Sequence, residues 1–408
     1  MTSALDFMTG PETIASAHPL AGLPRPGRRN PAEPPAPELA SPPAENLARA
    51  PADPLRKLPP GTAVLHVQLN GAGLTVQGRH EEVELALTGG EHYLPPALAL
   101  AEMAKDRGVS PEGIPYLMVA WSESHSEIID WIITLRRRVG DELRLVIWDD
   151  TGLEIPWELL WLDPGGDPLG WLGALVPVVR WTTIHWPRLI QGSTFADPPA
   201  ECRGEIAAYV DQAMRADLAV LERSGTVKEF TAATLPGRIR TPSPPLGLVY
   251  VAAHGEADAH DVTTMHLGDL PVTRLSAGPQ PGVLASRSLV FLNGCHSGRL
   301  IEDLRLNDKI LRGFVQAFIK LGAAAVIGTT GAVGEDTARE MAQEILSRLA
   351  ADDAPHVAVV LRDARARFCA GVTAETTDLA VLFPFLSAGM YVCYGNARTS
   401  ARLRENAP

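Results

Sequence analysis

Two runs, LGLVYVAA at residues 246–253 and SLVFLN at 288–293, carry no charge and no regular polar alternation. A strand with one wet face alternates. A strand buried on both faces reads as a continuous apolar run, and such burial belongs to parallel sheets covered by helices on each side. The C-terminal part of the chain keeps the same rhythm: helix NDKILRGFVQAFIKLG, strand AAAVIGT, helices EDTAREMAQEILSRLAA and PHVAVVLRDARARF, and a closing strand in SAGMYVCYG. Strand alternating with helix predicts an α/β fold whose mostly parallel sheet is flanked by helices.

The residues before this block divide differently. Residues 1–60 hold runs such as PAEPPAPELASPPAENLARAPADP, which cannot bury a core and predict a disordered, Pro/Ala-rich tail. Residues 61–198 read as a smaller α/β region that begins with antiparallel hairpins from AVLHVQL, LTVQG and VELAL. In SESHSEIIDWIITLRRRVG, Ser124 and Glu127 have capping-box spacing and Gly140 closes the predicted helix. LRLVIW reads as a strand, Pro156 in LEIPWELLW suits the first position of a helix, and LGALVPVVRW reads as another strand. Residues 199–408 form the third region, opening with an amphipathic helix predicted from Cys202 to Arg223 and stopped by Gly225.

Composition narrows the function. Apolar residues make up 46% and charged residues 21%, the values of a globular chain, and a net charge of −12 argues against a nucleic-acid surface. The opening MTSALDFMTGPETIAS lacks a basic segment followed by an apolar core, so no signal peptide is expected. No segment reaches the roughly 20 apolar residues that span a bilayer. Cys202, Cys295, Cys369 and Cys393 are scattered without metal-ligand or small-scaffold spacing, which predicts free thiols in a reduced, cytoplasmic protein.

The two core strands share one feature: each ends in a reactive residue. The first gives VAAHG, with His254 before Gly255; the second gives LNGCHSG, with Cys295 between Gly294 and the His296-Ser297-Gly298 turn. Open parallel sheets bind ligands beyond the carboxyl ends of their strands, so neighbouring strands would bring His254 and Cys295 to one crevice. That pair suits nucleophilic catalysis, in which a thiolate attacks a carbonyl and an imidazole moves the proton to the leaving amine. The backbone N–H groups of Gly255 and Cys295 are the candidate oxyanion hole. Cys369 and Cys393 sit in apolar contexts that read as packing.

HG followed by GCHSG resembles the caspase-like cysteine peptidases, and the surrounding segments resemble the bacterial CHAT family, related to caspases, metacaspases and separases. DTGLEIPWELLWLD, LGWLGALVPVVRW, GFVQAFIKLGAAAVIGTTGAV and PFLSAGMYVCYGN stand in the family's order, from about residue 115 to 397. The resemblance implies a caspase-like sheet, a His254–Cys295 dyad, a protein substrate and no cofactor. It also implies a regulatory or sensor partner and a bacterial defence or cell-death pathway.

Departures from the family leave gaps. The chain has no tandem helical repeats, so a sensing module would be the region before residue 200 or another chain. Metacaspases place an Asp two residues before the nucleophile to hold a basic side chain; Asn293 stands here and supplies no charge. Asn293, Asp258 and Asp261 are therefore the candidate substrate-pocket residues. A metal site from His254, His260, His266 and His296 does not match zinc-ligand spacing, and no P-loop or serine-hydrolase elbow is present. The competing reading is a catalytically silent caspase-like scaffold, against which the retention of both His254 and Cys295 argues.

Overall fold

The computed structural model describes residues 58–70, 73–81, 83, 85–87, 111–153, 155–165, 169–182, 199–258, 261–276, 286–302, 311–351 and 353–403. One eleven-stranded sheet organises them. Its strands are β1 (Thr62–Asn70), β2 (Gly73–Arg79), β3 (Leu85–Leu87), β4 (Arg144–Asp149), β5 (Val178–Trp181) and β6 (Glu205–Val210). They continue as β7 (Val227–Glu229), β8 (Leu246–Ala252), β9 (Leu289–Asn293), β10 (Ala325–Thr329) and β11 (Tyr391–Gly395).

The spatial order is β7-β6-β8-β9-β10-β11-β5-β4-β1-β2-β3. Seven pairings are parallel and three are antiparallel. The antiparallel step from β10 to β11 separates the parallel block β7-β6-β8-β9-β10 from the oppositely running parallel block β11-β5-β4-β1, to which β2 and β3 add an antiparallel edge. The first block carries both candidate catalytic residues. Every residue of β8 and β9 is buried, as their continuous apolar runs require. Each large aliphatic or aromatic side chain so buried contributes about 1.5–3 kcal/mol relative to exposure.

The helices are α1 (Gly113–Ser124), α2 (Ser126–Val139), α3 (Leu218–Ser224), α4 (Phe314–Lys320), α5 (Glu335–Leu349), α6 (Val357–Cys369) and α7 (Leu379–Met390). Several differ from expectation. Ser124 ends α1 instead of capping α2: its hydroxyl donates to the Trp121 carbonyl at 2.7 Å, and His125 is the N-cap residue. IPWELLW forms a single 3-10 turn, Trp157–Leu159, followed by a two-residue strand. The helix predicted from Cys202 to Arg223 begins as strand instead. EIAAYV is β6, and only Leu218–Ser224 is α-helical, closed by Gly225 as predicted. Alanines suit either structure, and pairing with both β7 and β8 decides for strand. Likewise SAGM ends α7, and β11 starts only at Tyr391.

The tail expected over 1–60 falls outside the described residues except at 58–60, where Leu58 is buried and the Pro59 carbonyl accepts from the Thr62 N–H at 3.0 Å. The regions drawn as 61–198 and 199–408 contribute to the same sheet, since β5 pairs with β11. A second tie is ionic. Glu158, in the PWELL segment and fully buried, receives the Arg180 guanidinium through two nitrogens, and Arg365 of α6 lies 3.8 Å away. The two arginines hold the Glu158 carboxyl below its usual range despite burial. Arg365 also donates to the Tyr391 carbonyl, fixing the start of β11.

Candidate active site

β8 and β9 are parallel neighbours, with Val251 opposite Leu292 and Ala252 opposite Asn293. His254 and Cys295 each follow the last paired residue by two positions. The chain therefore leaves both strands at one level, on strands whose ordinary spacing is about 4.8 Å. Contact between the two exits is direct. A Cβ placed on Gly255 would stand 1.7 Å from the Cys295 carbonyl oxygen, and one on Gly294 would stand 2.3 Å from the Ala253 carbonyl oxygen. No side chain fits at either position, so the glycines in HG and NGC are required by close approach of backbone.

The turn after β9 is fixed on its other side by β10. The Gly298 N–H donates to the Thr329 carbonyl at 2.8 Å, and the Thr329 hydroxyl donates to the Gly294 carbonyl at 2.6 Å. Ser297 donates to the Leu292 carbonyl at 2.8 Å and accepts from the Thr329 N–H at 3.1 Å. His296, next to the thiol, has a φ of 59°, a left-handed conformation that costs a non-glycine residue about 1–2 kcal/mol. Its N–H donates to the Gly331 carbonyl at 3.1 Å, one of the bonds that hold it there.

Cys295 is half-buried, while Cys202, Cys369 and Cys393 are buried. Its Sγ accepts from the Val333 N–H at 3.4 Å and lies 3.8 Å from the Val333 carbonyl oxygen. Burial pushes the thiol above its ordinary range, and the Val333 hydrogen bond opposes that only in part. The other three thiols are pushed up to about 12 by desolvation. His254 is exposed, and its carbonyl accepts from the Gly268 N–H at 2.8 Å. Among the described residues no hydrogen bond joins the imidazole to the thiol. The Cys295 N–H donates to no backbone carbonyl among them.

Of the three candidate pocket residues, Asn293 and Asp261 have side chains engaged by internal hydrogen bonds, and Asp258 is exposed. Asn293 is 1% exposed, beneath the turn and away from its open side. Its amide is used internally: the nitrogen donates to Asp217 at 3.2 Å and to Tyr250 at 3.1 Å, and the oxygen accepts from Tyr391 at 2.6 Å. The Asp261 carboxylate accepts from the Thr263 N–H at 2.8 Å and the Thr263 hydroxyl at 2.6 Å, so it caps the turn Val262–Thr264. Asp258 is exposed on the loop after His254. Among the described residues no three of His, Cys, Asp and Glu converge to hold a metal, and His260 lies outside them.

Sequence reasoning missed Asp217, Tyr250, Tyr391 and Val333. A signal for two of them existed. A tyrosine inside a fully buried strand needs a partner for its hydroxyl; LGLVYVAA contains one, Tyr250, and GMYVCYG two, Tyr391 and Tyr394.

Residues 188–375 match the family model described as the CHAT domain, a span that contains both His254 and Cys295. No curated protein sequence matches the chain. Among solved structures, the complex of Porphyromonas gingivalis RgpB pro- and mature domains is 12% identical over 68% of this chain and 70% of that chain, with a TM-score of 0.46. The Arg specific cysteine proteinase gingipain R is 12% identical over 68% of each chain, with a TM-score of 0.45. The Saccharomyces cerevisiae separase–securin complex is 13% identical over 64% of this chain and 15% of that chain, with a TM-score of 0.38.

Proposed function

We propose that this chain, with its CHAT domain over residues 188–375, is a cysteine endopeptidase that uses Cys295 as nucleophile and His254 as general acid and base. The observation that carries the reading is the shared level of the two strand exits, with Gly255 packed against the Cys295 carbonyl. The Cys295 thiol passes its proton to the imidazole, and the thiolate attacks the scissile carbonyl. The resulting oxyanion is met by the N–H groups of Gly255 and Cys295. His254 then gives the proton to the leaving amine, and a thioester remains. Water adds with its proton taken by His254, and the thiol and the new carboxyl product separate.

The observed arrangement supports a restrained resting state. The thiol is engaged by Val333, carries a raised pKa and makes no hydrogen bond to His254. Activation by a protein partner or signal, as in a bacterial defence or cell-death pathway within the cytoplasm, would break the Val333 contact and bring imidazole to thiol. No helix among the described residues is long and apolar enough to cross a membrane.

The test is co-expression of the wild-type chain or Cys295→Ala with each genomic neighbour, followed by sequencing of new N-termini. Cleavage by wild type alone supports the proposal and reveals the residue before the cut. Equal cleavage by Cys295→Ala would overturn it. So would the absence of any cut in a neighbour that nevertheless binds, which is the behaviour of a silent scaffold.

A further inference from the structure

Beneath the Cys295 turn lies a buried polar network that the dyad chemistry leaves unused. Asp217, Tyr250, Asn293 and Tyr391 are each at most 2% exposed. Tyr250 donates its hydroxyl to Asp217 Oδ2 at 2.6 Å, and Asn293 Nδ2 donates to the same oxygen at 3.2 Å. Tyr391 donates to Asn293 Oδ1 at 2.6 Å, while Asn293 Nδ2 also reaches the Ala338 carbonyl at 3.4 Å. The Tyr250 hydroxyl and the Asn293 amide both donate to the Asp217 carboxylate. The path joins the start of α3, both strands that lead to the site, the start of β11 and the first turns of α5.

Such an arrangement is costly to maintain. Burial raises the Asp217 pKa, and the Tyr250 and Asn293 hydrogen bonds oppose it together with the charge of Arg339 on α5. Arg339 is itself paired with Glu335 and Asp336. Apolar side chains of similar volume would pack the same space without desolvating a carboxylate. What the network supplies instead is directional hold on Asn293, the last residue before the turn. Asn293 is gripped through both ends of its amide, and a tyrosine fixes each side.

We propose that Asp217, Tyr250, Asn293 and Tyr391 are positioning residues that lock the end of β9, so that the turn presents Cys295 at the level of His254. The proposal rests on the reading of Cys295 as nucleophile and deepens it. It also gives a reason for an amide at position 293. A carboxylate there would face Asp217 across the 3.2 Å now bridged by an N–H donor, and like charges that close do not both ionise. Position 293 thus serves the support of the turn, and substrate selection falls to other residues.

The test is the rate at which iodoacetamide modifies Cys295, followed by mass spectrometry of its peptide from about pH 6 to about pH 10, with Cys369 as the buried reference thiol. In Asn293→Asp the pair shares one negative charge that now reaches the strand leading to Cys295, and the Cys295 midpoint should move up by about one unit, while Cys369 stays slow. The exchange Asp217→Asn with Asn293→Asp restores one carboxyl and one amide. It should recover wild-type thermal stability yet keep the raised midpoint, because the carboxylate now stands at the end of the strand that leads to the thiol. Tyr391→Phe adds no charge and should change the Cys295 rate at neutral pH by at least about tenfold, with Cys369 still unreactive. If Asn293→Asp does not fold, the exchange and Tyr391→Phe decide the matter. Unchanged Cys295 profiles would overturn the proposal, as would Cys369 becoming reactive in step with Cys295, the mark of general loosening. None of these readings needs peptide cleavage. A chain that alkylates as expected but cuts no partner would sink the peptidase reading and leave the network standing.

Discussion

The Cys295 carbonyl oxygen occupies the space in which any side chain on Gly255 would have to sit, 1.7 Å from its Cβ. The two residues come from neighbouring parallel strands, and the contact fixes the separation of their backbones. Gly255→Ala should therefore push the His254 and Cys295 segments apart by about 1 Å or more. A displacement of that size costs about 100-fold in turnover. Peptide cleavage and thermal melting measured together check this, and wild-type turnover in the alanine variant would show that the contact does not set the geometry.

Buried thiols give the stability a definite pH dependence. Cys202, Cys369 and Cys393 titrate near 12 in the native chain, against about 8.5 when unfolded. Below about 8.5 both states hold these protons and the stabilising difference is fully present. As pH rises from there toward 12 the unfolded state loses them first, so stability falls. Urea unfolding under reducing conditions at a series of alkaline pH values should show this decline. Cys369→Ala should flatten part of it.

Glu158 neutralises the buried Arg180 and faces the fully buried Arg365 as well. Glu158→Ala leaves both guanidinium groups without their carboxylate and should cost about 3–5 kcal/mol. Urea midpoints measure it. A loss under about 1 kcal/mol would mean that water replaces the carboxylate at this site.

Asp261 is accounted for by its cap on the Val262–Thr264 turn. Asp261→Ala should lower stability by about 1 kcal/mol and leave the residue preference at the cleaved bond unchanged. Profiling with a peptide library would detect the alternative, a loss of preference for basic side chains.

Strands buried on both faces were legible because runs such as LGLVYVA and LVFLN are short, continuously apolar and rich in branched and aromatic residues, which favours a covered strand over a buried helix. The glycines of HG and NGC stood out in the sequence as flanking residues and as an oxyanion-hole donor; that each stands where two backbones meet appears only in the structure. β6 was not. EIAAYV lacks the density of branched residues that marks a strand, and only its neighbours on both sides make it one. Spacing from Cys295 marks Asn293 but says nothing of the face on which its side chain lies; in the structure its amide is turned to Asp217, Tyr250 and Tyr391. Its partners, Asp217, Tyr250 and Tyr391, come from three distant segments, and no local pattern links them.

Tyr391–Gly395 lies between Ala325–Thr329 on one side and Val178–Trp181 on the other, with all five of its residues buried. Cutting the chain near residue 198 would strip away its outer neighbour. The remainder would carry an apolar strand with a row of open backbone donors and acceptors, a template for another molecule to join. The part bearing Cys295 is for this reason not a portable module. Its last strand is covered by one donated by the half that holds no candidate catalytic residue.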